Sequence, residues 1–188
     1  MNERQSMMKR IILNQQDVKA SIRKIAGEIV ARNRPMDDVV LVGIRTGGAY
    51  LASRLREAIA ELHESRPLVG ILDVTLYRDD WTRIGPTPVV GKTELPFSID
   101  DKTIILVDDV LFTGRTVRAS MDALIDFGRP RRIELAVLVD RGDRVRELPI
   151  KADYVGGVRN TSADQTINVY LAEEGFEDHV TIEERRAA

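Results

Sequence analysis

TIILVDDVLFTGRTV, residues 103–117, changes character twice within one short stretch. Thr103 to Val107 is a continuous apolar run rich in β-branched residues, the pattern of a short strand buried on both faces. Two adjacent carboxylates, Asp108 and Asp109, follow at its carboxyl end. Val110, Leu111 and Phe112 then lead to Thr113, Gly114, Arg115 and Thr116, where the spacing of Val117, Met121, Leu124 and Ile125 predicts the start of a helix that Gly128 ends. A helix start presents unpaired backbone N–H groups and a positive dipole end, and two threonine hydroxyls stand beside it here, so the segment is suited to an anion. Two acids placed just before that cradle can accept hydrogen bonds from vicinal sugar hydroxyls. The combination predicts a site for a ribose that carries a phosphate.

Working outward, the same strand-to-loop transition recurs on both sides. VVLVGI, residues 39–44, reads as another buried strand and runs directly into Arg45, Thr46, Gly47 and Gly48, then a helix with Leu51, Leu55, Ile59 and Leu62 on one face. IELAVLV, residues 133–139, ends in Asp140, Arg141 and Gly142. Before these, Val18, Ile22, Ile25, Ala26 and Ile29 predict an amphipathic helix over about residues 17–32, preceded by a polar start. Pro67 introduces the strand VGILDVTLY, after which the polar segment over about residues 77–95, with its glycines and prolines, reads as a lid. Late strands are expected near residues 153–155, 166–171 and 179–182. Strands alternating with helices indicate a parallel sheet with helices on both faces, and ligands in such sheets bind at the carboxyl ends of the strands. The three unusual strand ends therefore share one edge.

Composition narrows the chemistry. The chain has 188 residues, with 28 Lys plus Arg against 30 Asp plus Glu, a formal charge of −2. Residues 171–188 hold six acids and two arginines, so this tail contributes −4 and the rest +2. The balance argues against indiscriminate nucleic-acid binding and leaves selective phosphate recognition open. With no cysteine, disulfides, thiolate metal sites and cysteine nucleophiles are excluded. His63 and His179 are far apart in sequence and suggest neither a His-rich metal site nor a Ser-His relay. No apolar run approaches the ~20 residues that span a bilayer, and the N-terminus MNERQSMMKR lacks an apolar signal core, so a cytoplasmic protein is expected.

The stretch 103–117 resembles the phosphoribosyl-pyrophosphate signature of the type I phosphoribosyltransferases. With LVGIRTGGAYLASRL, LDVTLYRDD, RASMDALIDFGRPRRIELAVLVDRG and RELPIKADYVG, the chain from about Ile11 to Val155 is similar to the PyrR family of bifunctional pyrimidine operon regulators and uracil phosphoribosyltransferases. The resemblance implies an α/β fold: one domain over residues 1–188, a mainly parallel sheet flanked by helices, a flexible lid over about 77–95 and a small hood over about 150–188. It implies transfer from 5-phosphoribosyl 1-pyrophosphate (PRPP) to uracil, giving UMP and pyrophosphate, with Mg²⁺ as cofactor. It also implies control of pyrimidine gene expression through binding of operon mRNA with UMP or UTP as effector, and self-association as a homodimer or larger homo-oligomer. Two alternatives stand beside this: a phosphoribosyltransferase for another base without an RNA role, or chiefly an RNA-binding regulator that senses nucleotides.

Residue roles follow from the same resemblance. Asp108 and Asp109 would hold the ribose hydroxyls, with Asp109 also catalytic, and the segment Val110, Leu111, Phe112, Thr113, Gly114, Arg115 and Thr116 would complete the ribose and 5′-phosphate site. Arg45, Thr46, Gly47 and Gly48, together with Arg78 and Arg141, would receive pyrophosphate, Arg78 acting catalytically as the lid closes. Asp140 would contact the metal with PRPP oxygens. Tyr154, Val155 and Gly156 would bind the base. Lys19, Arg23 and Lys24 on the first helix, with Arg144, Arg146 and Lys151, are the RNA candidates. Two departures from the family pattern stand out: Gly47 takes the place of an arginine common in relatives, and the segments 141–149 and 156–162 differ from the Gram-positive type.

Overall fold

The computed structural model describes residues 8–75 and 92–184. In chain order the elements are β1 (Met8–Leu13), α1 (Gln15–Arg32), β2 (Val39–Ile44), α2 (Gly47–Leu62), β3 (Leu68–Leu72), β4 (Thr103–Leu111), α3 (Arg115–Ile125), β5 (Arg132–Asp140), β6 (Tyr154–Val158), β7 (Gln165–Tyr170) and β8 (His179–Glu184). The apolar runs at 39–44, 103–107 and 133–139 become the middle of a five-stranded, all-parallel sheet of order β3-β2-β4-β5-β6. All six side chains of β2 are buried, as expected for a strand covered on both faces.

One face carries α1 and α2, whose Ile22, Ile25, Ile29, Leu51, Leu55 and Ile59 pack on Leu41, Ile105 and Leu138. The other face is covered by α3, through Val117, Ala123 and Leu124, and by Leu95, Phe97 and Ile99 of the segment before β4. Asn14 starts α1 with reciprocal hydrogen bonds to Asp17, each 3.0 Å, which satisfy end groups the helix cannot pair internally. Parallel register aligns Ile44 with Leu72, Gly43 with Val107, Leu111 with Asp140, and Asp140 with Val158. The carboxyl ends of β2, β4, β5 and β6 thus emerge along one edge.

A second, three-stranded antiparallel sheet of order β1-β8-β7 pairs with none of these strands. Its first strand comes from the segment read as a polar start. MKRIIL mixes basic and apolar residues, and only pairing with β8 brings Leu13 to 5% exposure while Ile11 stays 60% exposed. Among the described residues no helix is long and apolar enough to cross a membrane.

Candidate active site

β4 continues as a strand through Asp108 and Asp109 to Leu111, beyond the apolar run that announced it. Gly114 then turns the chain with φ 92°, a left-handed conformation that glycine adopts without penalty, and caps α3. The loop is fastened from behind. The Thr113 carbonyl accepts from the amides of Glu147 and Leu148 at 3.1 and 3.2 Å, and the Phe112 carbonyl accepts from Arg146. With its carbonyls held this way, the turn points the start of α3 outward: the Arg115 amide donates to the Thr113 hydroxyl at 3.4 Å, and the helix's positive end, with the Thr116 hydroxyl beside it, suits an anion. Arg115 itself donates from Nε to Glu147 at 2.7 Å.

The second loop meets this one through glycine. A methyl group on Gly48 would stand 2.2 Å from the Val107 carbonyl oxygen, and one on Gly47 would stand 2.7 Å from Asp109 Oδ2. Absence of a side chain lets the start of α2 lie directly on the end of β4. The family's common arginine is therefore missing where Asp109 occupies the adjoining space. Burial pushes the Asp109 carboxyl above its ordinary range, although hydrogen bonding to the Val110 amide, at 2.7 Å, pulls the other way. Arg45 lies to the side, with Nη2 donating to the Lys92 carbonyl at 3.1 Å and Nε 3.9 Å from the buried Asp73. The Arg45–Thr46 peptide is cis.

A cavity of about 330 Å³ opens between this edge and the small sheet. Asp109 and Val110 form one side, Ile167, Asn168, Val169 and Tyr170 of β7 the other, and Glu174 and Phe176 the rim. Tyr170 stacks on His179 and meets Phe176 edge to face, which gives the far side an aromatic backing. An acidic strand end and an open slot of mixed polar and apolar lining thus adjoin one another, beside the turn that starts α3.

Comparison with known proteins bears on this arrangement. A family model described as a phosphoribosyl transferase domain matches residues 9–173. The bifunctional protein PyrR of Desulfosudis oleivorans is 51% identical over 171 residues, covering 91% of this chain and 94% of that protein. The bifunctional protein PyrR of Bacillus pumilus is 51% identical over 179 residues, covering 94% and 98%. The chain belongs to the PyrR branch of the phosphoribosyltransferase family. The fold agrees: the crystal structure of a hypoxanthine-guanine phosphoribosyltransferase from Bacillus anthracis superposes with a TM-score of 0.66 at 17% identity, covering 86% of this chain and 88% of that one.

Within this PyrR-type chain, Gly47 lies against Asp109 and Gly48 against the backbone of Val107 and Asp108, while 113–116 follow where β4 passes into α3. Several other expected site residues are used differently. Tyr154 is 1% exposed and donates its hydroxyl to Glu134 Oε2 at 2.5 Å while accepting from Asn33 at 2.8 Å. Burial pushes its phenol upward, and Glu134 adds to the shift. It is core between β5, β6 and α1, not a base contact. Val155 packs partly against the α3-side core and Gly156 sits against Ser21 of α1, both half-buried.

Arg141 is corrected as well. It is 4% exposed, its guanidinium lies 3.7 Å above the Phe112 ring, and it donates to Thr161 Oγ1 at 2.8 Å and to the carbonyls of Ser162 and Gln165 at 2.9 and 2.6 Å. Those bonds fasten the approach to β7 and occupy the guanidinium. Asp140 accepts from the Gly142 amide at 2.8 Å and from Arg146 at 2.6 Å, both through Oδ1. Arg146, expected on an RNA surface, is buried with a side-chain exposure of 7% between Asp140 and Phe112. Of the other RNA candidates, Arg23 pairs with Glu61 at 3.0 Å, and Lys24 donates to the Val155 carbonyl at 2.8 Å; Lys19, Arg144 and Lys151 are exposed. Arg78 and most of the expected lid lie outside the described residues. Sequence reasoning missed Asn168, Glu174 and Phe176, for which no local pattern exists: strand alternation marks β7 but does not say what it faces.

Proposed function

We propose that this chain transfers the phosphoribosyl group of PRPP to uracil, giving UMP and pyrophosphate, and regulates pyrimidine gene expression by uridine-nucleotide-dependent RNA binding. The observation that carries the transferase reading is the adjacency of the 113–116 cradle, Asp108 and Asp109, and the slot between Val110 and β7. The cradle takes the 5′-phosphate, the paired acids orient the ribose hydroxyls, and the Gly47 and Gly48 backbone faces the leaving pyrophosphate. The slot holds the pyrimidine ring, where the Asn168 amide can both donate to and accept from an imide edge. Bond breaking at the anomeric carbon develops positive charge on the ribose and negative charge on pyrophosphate, so fixed dipoles and a nearby carboxylate favour the transition state. Asp109 is the carboxylate best placed for this, and displacement by the base needs no covalent enzyme intermediate.

Mg²⁺ would be held mainly by PRPP oxygens, with the carboxylates of Asp108, Asp109 and Asp140 at the same strand-end edge available to assist. When bound it neutralises charge on the departing pyrophosphate. The cytoplasm, which supplies the metabolites and the message, is the corresponding compartment, with a homo-oligomer as the working form.

The test is nucleotide formation from PRPP, Mg²⁺ and each of several bases. UMP formation that collapses in Asp109→Asn is expected; nucleotide from a purine alone would replace the uracil reading. Filter binding to pyrimidine-operon leader RNA over a salt series tests the second activity, since selective, UMP-dependent affinity is expected and its absence would remove the regulator reading.

A further inference from the structure

The small sheet shares no strand pairing with the large one, yet β7 walls the base slot. Side chains must therefore set where that strand stands. Ile167, Leu171 and Val180 pack into the core beneath α1 and α2, and two arginines fasten the strand's ends. Arg141 fastens Thr161, Ser162 and Gln165 at the entry to β7. Arg54, on α2, fastens the exit: Nε and Nη2 donate to Glu173 Oε1 and Oε2 at 2.8 and 2.5 Å, and Nη1 and Nη2 donate to Asp178 Oδ2 and Oδ1 at 2.6 and 2.8 Å. Asp178 Oδ1 also accepts the Ala172 amide at 2.8 Å, so the turn from 172 to 178 is closed on itself and on α2. That turn carries Glu174 and Phe176 to the rim of the slot.

A guanidinium has the planar donor fork needed to engage two carboxylates at once, which an ammonium group lacks. The helix that bears Arg54 begins at Gly47, in the loop facing pyrophosphate. One rigid element thus sets the leaving-group loop at its start and the base rim further along. The interaction draws both carboxyls below their ordinary ranges, and the side chains are 21, 34 and 13% exposed for Arg54, Glu173 and Asp178, partly shielded from screening. A binding constellation tolerates displacements of only about 0.5 Å before affinity suffers, so loosening this turn is felt in the slot.

We propose that Arg54 is a positioning residue for the nucleobase: by clamping Glu173 and Asp178 it sets the rim and β7 at the spacing the base requires, without touching the reacting atoms. This rests on the reading of the slot as the base site. The test uses full-length Arg54→Met and Arg54→Lys with uracil and PRPP varied separately. Arg54→Met is expected to raise the KM for uracil about tenfold, the scale of losing charge-assisted hydrogen bonds, with the KM for PRPP within about twofold. Arg54→Lys should fall between. Hydrogen exchange should quicken across residues 165–176 and stay unchanged across 103–116. Glu173→Gln combined with Asp178→Asn should reproduce the effect, and adding Arg54→Met to that pair should add little. A lowered Tm with both KM values unchanged, or with both raised equally, would overturn the clamp. Wild-type protein that forms no UMP overturns the base-site reading and the clamp with it, whereas active wild type with unaltered Arg54 variants overturns the clamp alone.

Discussion

The phosphate cradle and the base slot adjoin one another and are built in opposite ways. The cradle is contiguous: Asp108 to Thr116 supplies the acids, the turn and the helix start, and its geometry is that of backbone groups. The slot is assembled from β4, β7 and the turn at 172–178, two sheets with no pairing between them, joined through the packing of Ile167, Leu171 and Val180 and through side-chain bonds from Arg54 and Arg141. A backbone site is fixed once its strand and helix form, whereas an assembled site is only as exact as the longest side chain that holds it.

The sharpest way to break that contrast is Arg146→Met, which strips the back of the cradle. It leaves Asp140 buried without its cation and the Phe112 carbonyl without its donor, and should cost about 3–5 kcal/mol of folding stability in urea titration. A loss well below that would mean the cradle needs no tertiary fastening. Next, Asp109→Asn should lower kcat/KM on the order of 10²-fold. It should also raise the Tm at neutral pH. A carboxyl whose folded pKa lies above its unfolded value carries a stability penalty that is absent below the unfolded value and grows as pH rises through the folded one, and the amide carries none.

Acid sharpens the comparison, because the two regions have opposite sign. Glu173 and Asp178 have lowered folded values, so their stabilisation is complete above their unfolded values of about 4 and is lost as pH falls through the folded ones. Between pH 7 and 5 protection against exchange, taken relative to the intrinsic rate at each pH, should hold steady in residues 165–176. Below about pH 4 it should fall there before it falls in residues 103–116, where protonation relieves Asp109. Simultaneous loss in both regions would deny the clamp its separate role. The smallest effect is expected from Lys19→Gln, an exposed residue that does not line the slot: UMP synthesis unaltered, and the salt slope of leader-RNA binding reduced by about 1.

How legible each part was follows from the same difference. TIILVDDVLFTGRTV announces strand, acids and helix start in one reading, and the model differs mainly in extending β4 through the acids to Leu111. The base site was sought at Tyr154 to Gly156, where recognisable motif ends, but β5–β6 register places Tyr154 opposite Ala136, deep in the sheet, and the slot beside Asp109 is lined by β7. Asp140 and Arg141 were placed on the correct edge, because strand ends determine edges; what their side chains hold depends on Arg146 and on the 161–165 segment packed against them. β1 escaped notice because an exposed edge strand needs little apolar periodicity when β8 supplies its hydrogen bonds.

By itself, then, the sequence determined a parallel α/β body with a phosphoribosyl site on its carboxyl edge, since apolar periodicity, paired acids and a glycine-capped helix start act over neighbouring residues. Tertiary structure alone decided that β7 faces the end of β4, that Asp109 lies beneath Gly47, and that Arg54 and Arg141 reach across to the segments flanking β7. These are contacts between residues far apart in the chain, and a charged side chain carries no local mark of the partner it will meet.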